Sequence, residues 1–277
     1  MGKDYMIKNV REPFSVLLSV YAKDDPVWLK EALNSVLLQS VPPNEVVVMC
    51  DGPLSPALNK TLAAFGAQIT IHRLNKNSGL GEALRRGVVE CRYELVARMD
   101  ADDISLPDRF EKQLRQFTQT PDLAICGGFI QEIAPDKAPL SVRKVPLTDG
   151  KIKNFLKYRS PFNHMSVMFR KSAVLAVGNY QSFHFLEDYY LWARMAEAGL
   201  RMVNLPDILI YARTGKDMIS RRGGWKYFKS NKALYAKMRQ MHLLTWGQFL
   251  YILTVRFCVQ VLMPNKMRGF FYKKALR

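Results

Sequence analysis

Short apolar runs alternate with stretches of helical periodicity over the first hundred residues of the chain. Residues 14–21 (FSVLLSVY) form an apolar, β-rich run, which is typical of a strand buried in a parallel sheet. Asp25 and Pro26 then predict the cap and the first turn of a helix. That helix carries apolar residues on one face, at Leu29, Ala32, Leu33, Val36 and Leu37.

The same strand–helix unit recurs along this part of the chain. The further predicted elements are strands at residues 45–50, 68–73 and 93–99 and helices at residues 54–65 and from Ser78 onward. The alternation predicts an α/β fold with a mostly parallel, Rossmann-like sheet and helices on both faces. Ligands of such sheets bind at the carboxyl ends of the strands. The predicted strands end at or next to Tyr21, Asp51 and Asp100, so these residues are candidates for ligand binding.

The second half of the chain is less regular. The predicted elements are helices at residues 106–119 and 186–198 and strands at residues 122–130, 163–170 and 207–213. From Gly223 onward the pattern is helical and basic. We therefore predict an α/β domain over residues 1–215 and a basic helical C-terminal region over residues 216–277.

Composition indicates a folded protein, with 48% apolar and 23% charged residues. The four cysteines are far apart and form no CxxC pair, so we expect reduced core cysteines and a cytoplasmic protein. The first apolar run is short and leads directly into Lys23, without the features of a signal peptide.

Positive charge is concentrated at the C-terminus. Residues 216–277 hold 14 Lys and Arg residues and one acid, Asp217, which leaves 14 − 1 = +13 of the net +17. A near-neutral body with a basic tail predicts an anionic surface as partner. Nucleic acid is disfavoured, because the excess lies outside the α/β body and no nucleic-acid-binding signature is present.

Within this tail, residues 243–263 are strongly apolar but contain Arg256. An arginine at the centre of a spanning helix costs ~2.5 kcal/mol or more, which disfavours a membrane span. Basic and aromatic residues flank the segment and favour peripheral attachment to the inner face of the cytoplasmic membrane. A helical hairpin that packs on the body, or on a second copy in a homodimer, is the alternative. The flanking cations are Lys226, Lys229, Lys232, Lys237, Arg239, Lys266, Arg268, Lys273, Lys274 and Arg277.

The tetrapeptide Asp100-Ala101-Asp102-Asp103 carries the strongest chemical signal. Three carboxylates within four residues repel one another unless a cation lies among them. Mg²⁺ and Mn²⁺ prefer oxygen ligands and commonly combine one or two carboxylates with phosphates. A solvated loop, in which Asp103 or Ser105 caps the next helix, is an equally good interpretation of these residues alone.

Six segments, taken in order, resemble the motifs of family 2 glycosyltransferases, which have the GT-A fold. Together they extend over about residues 13–215 and include Arg86 where the family usually has asparagine. The segments are residues 15–21 (SVLLSVY), 33–40 (LNSVLLQS), 45–52 (EVVVMCDG), 77–87 (NSGLGEALRRG), 100–103 (DADD) and 187–188 (ED). Residues 99–103 (MDADD), 107–110 (PDRF) and 163–171 (NHMSVMFRK) further resemble bacterial transferases of exopolysaccharide, capsule or O-antigen assembly.

This resemblance implies an inverting, metal-dependent transfer of a sugar from a nucleotide-sugar, a UDP-sugar by preference, to a saccharide or lipid-linked saccharide acceptor. It implies that Asp102, helped by Asp100, holds Mn²⁺ or Mg²⁺, and that Asp188 is the general base, with Glu187 next in line. The implied donor-binding residues are Ser19, Val20, Tyr21, Asp51, Asn77, Gly79, Arg98, Asp100 and Ala101. The candidate acceptor contacts are His164, His184 and Trp192, for which a structural histidine and a core tryptophan are the alternatives.

Two other functional classes remain as alternatives. A sugar-nucleotide nucleotidyltransferase shares the nucleotide chemistry and the sheet, but usually has an early basic, glycine-rich loop. Residues 19–30 contain no glycine. A nucleic-acid-binding protein that uses the basic tail is the alternative from a different class.

Overall fold

One mixed sheet forms the centre of the protein, whose computed structural model describes residues 12–214 and 223–264. The strands are β1 (Phe14–Tyr21), β2 (Glu45–Asp51), β3 (Thr70–Arg73), β4 (Leu95–Asp100), β5 (Ile104–Ser105), β6 (Leu123–Ile133), β7 (Pro139–Arg143), β8 (Met168–Arg170) and β9 (Arg201–Arg213). The helices are α1 (Pro26–Leu37), α2 (Pro56–Ala63), α3 (Leu80–Glu90), α4 (Arg109–Gln119), α5 (Asp149–Leu156), α6 (Lys171–Ala176), α7 (Glu187–Glu197), α8 (Gly224–Gln240) and α9 (Trp246–Phe257).

The strand order is β3-β2-β1-β4-β8-β6-β9-β5, and β7 pairs with β6. The first four strands of this order are parallel, and β6 and β9 are also parallel to each other. Strand β8 is antiparallel to both β4 and β6, and β5 is antiparallel to β9. The α/β fold predicted from the sequence is confirmed, and its second half also contains these antiparallel pairings.

Helices cover both faces of the sheet because neighbouring residues of the central strands point in opposite directions. Leu17 of β1 belongs to the core beneath α3 and α7. Val16 and Leu18 belong to a second core beneath α1, α2 and α4. This two-sided burial explains why the strand sequences are almost continuously apolar.

The first helix follows its sequence signals. The carboxylate of Asp25 accepts hydrogen bonds from the backbone N–H groups of Val27 and Trp28, at 2.7 and 3.2 Å. The cap predicted for α3 is different, because the hydroxyl of Ser78 donates to the carbonyl of Lys76 and does not cap the helix. The N-cap position is Gly79, with φ of +89°.

Several elements of the second half differ from the prediction. The strand expected over residues 163–170 is a 3₁₀ turn at His164–Ser166 followed by the short β8. Strand β9 begins at Arg201, six residues before the predicted start. It continues past Pro206 because its pairing with β6 jumps from Leu205 to Ile208. The sequence did not predict β5, β7, α5 and α6, which are short or lie at the edge of the sheet.

Helices α8 and α9 pack on the α/β domain. Leu234, Tyr235 and Met238 of α8 are buried in the same core as α7. Arg256 of α9 donates to the carbonyl of Tyr158 at 2.8 Å and to the hydroxyl of Tyr235 at 3.1 Å. The cations at positions 266, 268, 273, 274 and 277 lie outside the described residues. Among the helices that the structure describes, none has the length and apolarity needed to cross a membrane.

Candidate active site

The carboxyl edge of the parallel strands gathers the residues that the sequence singled out. Residue Tyr21 at the end of β1 is paired with Asp51 of β2, and Ser19 is paired with Asp100 of β4. Three motifs far apart in the sequence therefore meet at one edge, as the parallel sheet predicts.

Asp51 organises the loop that precedes α3. Its buried carboxylate accepts hydrogen bonds from the backbone N–H groups of Ser78 at 2.7 Å and Gly79 at 2.9 Å. The side chain of Asn77 donates to the backbone carbonyl of Asp51 at 3.4 Å. Asp51 therefore fixes, from a neighbouring strand, the two residues that precede α3. Each carboxylate oxygen keeps a further lone pair with which a ligand N–H could pair.

The close approach of this loop also explains Gly52. Its φ is +87°, and a Cβ atom at this position would lie 2.5 Å from the backbone nitrogen of Asn77. Any side chain would push the loop away from β2, so glycine is required where the two segments meet.

Asp100, the last residue of β4, lies together with Asp102 and Asp103 of the loop that follows. Each offers one carboxylate oxygen, and these oxygens are within 4.8 Å of one another. Burial, and then the charge of Asp100, raises the pKa of Asp102 to about 6. The same causes raise the pKa of Asp103 well above its usual range. The charge repulsion behind these shifts would be relieved by a cation among the oxygens.

The cluster fits a hard divalent ion. Its donors are carboxylate oxygens, and among the described residues Asp103 Oδ2 is buried without a hydrogen-bond partner. The alternative in which Asp103 or Ser105 caps the next helix does not hold, because Asp108 occupies the N-cap position of α4. Asp103 instead accepts a hydrogen bond at 2.9 Å from the backbone N–H of Arg213.

Arg98 contacts this cluster through Asp100. Its side chain is 2% exposed and forms an ion pair with Asp100. Its Nε and Nη1 atoms have no hydrogen-bond partner among the described residues. The ion pair holds the side chain of Asp100 in place, and the donor contact that the family resemblance implied for Arg98 stays a prediction.

Asp24 is a fourth acid near the cluster that sequence reasoning missed. Its carboxylate accepts a hydrogen bond from the backbone N–H of Tyr21 at 2.8 Å. Burial raises its pKa to about 7, and the charges of Asp102 and Asp100 act in the same direction. No motif marks this residue; only the turn between β1 and α1 brings it to the site.

Glu187 and Asp188 form the first turn of α7. The side chain of Glu187 lies against α3, where a Cβ atom added to Gly81 would be 3.3 Å from the Cβ of Glu187. Burial, and then the charge of Asp188, raises the pKa of Glu187 to about 7. A carboxyl group with such a pKa can exchange protons near neutral pH.

The three candidate acceptor contacts occupy different environments. His164 Nε2 lies 2.9 Å from the hydroxyl of Tyr180, and burial holds the pKa of His164 well below its usual range. Trp192 is 0% exposed and packs against Phe162 and His164, so it is a core tryptophan without access to an acceptor. His184 is exposed and lies three residues before Glu187, and its ring is tilted against that of Phe185 with 4.1 Å between the ring centroids.

Comparison with known proteins matches this chain to glycosyltransferases. The pattern of the family described as "Glycosyl transferase family 2" matches residues 15–177. The amylovoran biosynthesis glycosyltransferase AmsE of Erwinia amylovora is 38% identical over 267 residues, which are 94% of this chain and 98% of that protein. The UDP-Gal:alpha-D-GlcNAc-diphosphoundecaprenol beta-1,3-galactosyltransferase of Escherichia coli is 36% identical over 268 residues, or 95% and 96% of the two chains.

Two solved structures share the fold at low sequence identity. S. aureus TarS 1-349 in complex with UDP-GlcNAc superposes with a TM-score of 0.67 at 15% identity, over 96% of this chain and 76% of TarS 1-349. The mannosyltransferase PcManGT from Pyrobaculum calidifontis, in complex with GDP-Man and Mn²⁺, gives 0.63 at 15% identity, over 96% and 81%.

Proposed function

The chain belongs to glycosyl transferase family 2, and from that premise we propose that it is a metal-dependent, inverting transferase of cell-surface polysaccharide assembly. Its donor is a UDP-sugar and its acceptor is a saccharide linked to a lipid diphosphate. The galactosyltransferase relative supports both choices, because its name specifies UDP-Gal and a diphosphoundecaprenol acceptor. The nucleotidyltransferase and nucleic-acid alternatives have no comparable support.

The observation that carries this proposal is the meeting of the Asp51 loop and the three-aspartate cluster at one edge of the sheet. We assign the nucleoside to the end of β1 and to the loop that Asp51 organises. Asp102, with Asp100, would hold Mn²⁺ or Mg²⁺ against the diphosphate. The ion, when bound, supplies positive charge where the leaving group develops negative charge.

Asp188 is our candidate for the general base that accepts the proton of the acceptor hydroxyl. It lies at the start of α7, and its charge contributes to the raised pKa values of Glu187 and Tyr180 after burial. A base acts on the face of the sugar opposite the leaving group, so attack from that side inverts the anomeric centre. An α-linked donor would give a β-linkage. Glu187 is the next candidate.

Transfer to a synthetic acceptor tests this proposal. We would incubate the full chain with Mn²⁺, a panel of UDP-, GDP- and dTDP-sugars, and a sugar diphosphate carried on a long alkyl chain. Mass spectrometry should detect one added sugar from a UDP donor, NMR should show the inverted linkage, and EDTA should abolish transfer. Full transfer in EDTA, retention of configuration, or use of GDP-sugars alone would contradict the corresponding part of the proposal.

We further propose that the C-terminal helices hold the enzyme on an anionic membrane surface at the inner face of the cytoplasmic membrane. Because Arg256 points toward the body, α9 presents an uncharged outer face. Its exposed residues are Trp246, Gly247, Leu250, Tyr251, Thr254 and Val255. Lysines of α8 supply the complementary charge, at Lys226, Lys229, Lys232 and Lys237.

Sedimentation with anionic vesicles at low salt tests this attachment. Deletion of the whole tail is unsuitable, because it removes core residues such as Leu234 and Tyr235. The double substitution Trp246→Ser and Leu250→Ser should release the protein from the vesicles, and high salt should weaken binding of the unaltered chain. Val89→Ser, at another exposed apolar position, is the control. An unaltered chain that stays in solution would favour the packing or homodimer alternative.

A further inference from the structure

Arg213, the last residue of β9, is a second arginine that contacts the acidic loop. Its backbone N–H donates to Asp103 Oδ1 at 2.9 Å, and its guanidinium donates to the backbone carbonyl of Asp102. The side chain is 2% exposed. One arginine therefore holds two successive residues of the loop that carries the candidate metal ligands.

The guanidinium of Arg213 is itself held in place. It forms an ion pair with Glu31 of α1 and lies over the ring of Trp28, with 5.3 Å from its central carbon to the ring centroid. The other carboxylate oxygen of Glu31 accepts from the Lys137 ammonium at 2.8 Å. The position of the guanidinium is thus set by Glu31 and Trp28 of α1 and not by the loop alone, whereas the Lys137 pair is solvent-exposed and contributes little.

The loop is also fixed on its C-terminal side. Ile104 and Ser105 of β5 pair with Tyr211 and Ile210 of β9. The loop is therefore held at its start by β4 and at its end by the pairing of β5 with β9. Arg213 contacts the two residues between these ends, Asp102 and Asp103. Side chains that orient the ligands of a metal in this way typically change its affinity 10- to 100-fold when removed.

A positive charge at this place also counters the repulsion within the loop. Carboxylate oxygens of Asp100, Asp102 and Asp103 lie within 4.8 Å of one another, so the negative charges of these groups repel one another. The guanidinium reaches the backbone of Asp102 and leaves its carboxylate free of that contact. The contact therefore shapes the loop without occupying the oxygen atoms that a metal would need.

We propose that Arg213 is a positioning residue for the metal site: it holds the backbone of Asp102 and Asp103 so that the carboxylate of Asp102 faces the divalent ion and the diphosphate of the donor. Arg213 contacts neither the ion nor the nucleotide. The inference rests on the proposed metal-dependent function.

Binding measurements on Arg213→Met and Arg213→Lys test this role. Mn²⁺ binding in the presence of saturating UDP-sugar would be followed by the loss of the free Mn²⁺ signal in electron paramagnetic resonance. We expect the Mn²⁺ dissociation constant to rise at least ~10-fold in Arg213→Met and to recover in part in Arg213→Lys, which keeps the charge. Uridine, which lacks the diphosphate, should bind both variants as it binds the unaltered chain. The matched control is Lys137→Met, which removes the other partner of Glu31 and should leave Mn²⁺ binding within about twofold of normal.

Each outcome decides the matter. A folded Arg213→Met with normal Mn²⁺ affinity, or an equal loss of uridine and Mn²⁺ binding, overturns the positioning role. If Arg213→Met does not fold, Arg213→Lys carries the test, and unchanged Mn²⁺ binding in that variant overturns the role. If the unaltered chain binds no Mn²⁺ with UDP-sugar, the proposed metal-dependent function fails instead.

Discussion

Mn²⁺ binding should depend steeply on pH over a range in which ordinary aspartates do not titrate. Asp102 is the principal candidate ligand, and burial beside Asp100 raises its pKa to about 6. Protons and the metal compete for the same carboxylate, so affinity should fall as the pH is lowered through this value. An aspartate with the ordinary pKa of 3.8 would lose its charge only at lower pH.

The size of the effect follows from the ionised fraction. A carboxyl group with a pKa of about 6 is about 90% ionised at pH 7 and about 10% ionised at pH 5. Competition at Asp102 alone should therefore raise the apparent Mn²⁺ dissociation constant roughly tenfold between pH 7 and pH 5. Asp24, with a pKa of about 7, gains a proton over the same range, which reduces the local negative charge and acts in the same direction.

The measurement is a titration of Mn²⁺ at pH 5, 6 and 7, followed by electron paramagnetic resonance. A UDP-sugar is the nucleotide of choice, because its diphosphate is esterified at both ends and does not itself titrate near pH 6. Asp136→Asn, a change at an exposed turn, is the control and should keep the full pH dependence. A dissociation constant that changes less than twofold between pH 7 and pH 5, in protein that stays folded, would refute the reasoning.

Three further predictions concern single acids. Asp188→Asn keeps the shape but cannot accept a proton, so kcat should fall at least ~10²-fold with little change in donor affinity, and near-normal turnover would move the base to Glu187. Asp51→Ala removes the acceptor of two backbone N–H groups, so calorimetry should show weaker uridine binding with Mn²⁺ binding unaffected; unchanged uridine affinity would contradict this. Asp24→Asn removes a carboxyl group whose pKa is raised from 3.8 to about 7 in the folded protein. The folded state therefore binds this proton more tightly than the unfolded state, and this contribution to stability is lost as the pH rises from 3.8 through about 7. Without metal, the variant should therefore melt at a higher temperature than the unaltered chain at pH 8, and the difference in melting temperature should be smaller at pH 5. An equal difference at the two pH values would show that the charge of Asp24 is not its cause.

The sequence alone predicted the first half of the fold well, because its signals are local. Continuous apolar runs such as residues 14–21 mark strands buried on both faces, and Asp25 marks the start of α1. A parallel arrangement then places the ends of β1, β2 and β4 at one edge, so the sequence was enough to place Asp51 and the Asp100–Asp103 cluster together.

The second half was predicted less well, because its elements are short and their pairing is decided by distant partners. Strand β8 has only three residues and exists because β4 and β6 pair with it on either side. The pattern of apolar residues around His164 is compatible with a strand and with a 3₁₀ turn. Such segments carry too few residues for periodicity to distinguish the alternatives.

Within the candidate site, the sequence identified the acids and the tertiary structure decided their surroundings. Arg98 is buried and paired with Asp100, Arg213 reaches the same loop from the end of β9, and Asp24 approaches it through a turn. The contact between Arg213 and Asp102 joins residues 111 positions apart, so no local pattern encodes it. Residue type and spacing determine which groups can do chemistry, but their burial, pKa and orientation depend on packing that exists only once the chain has folded.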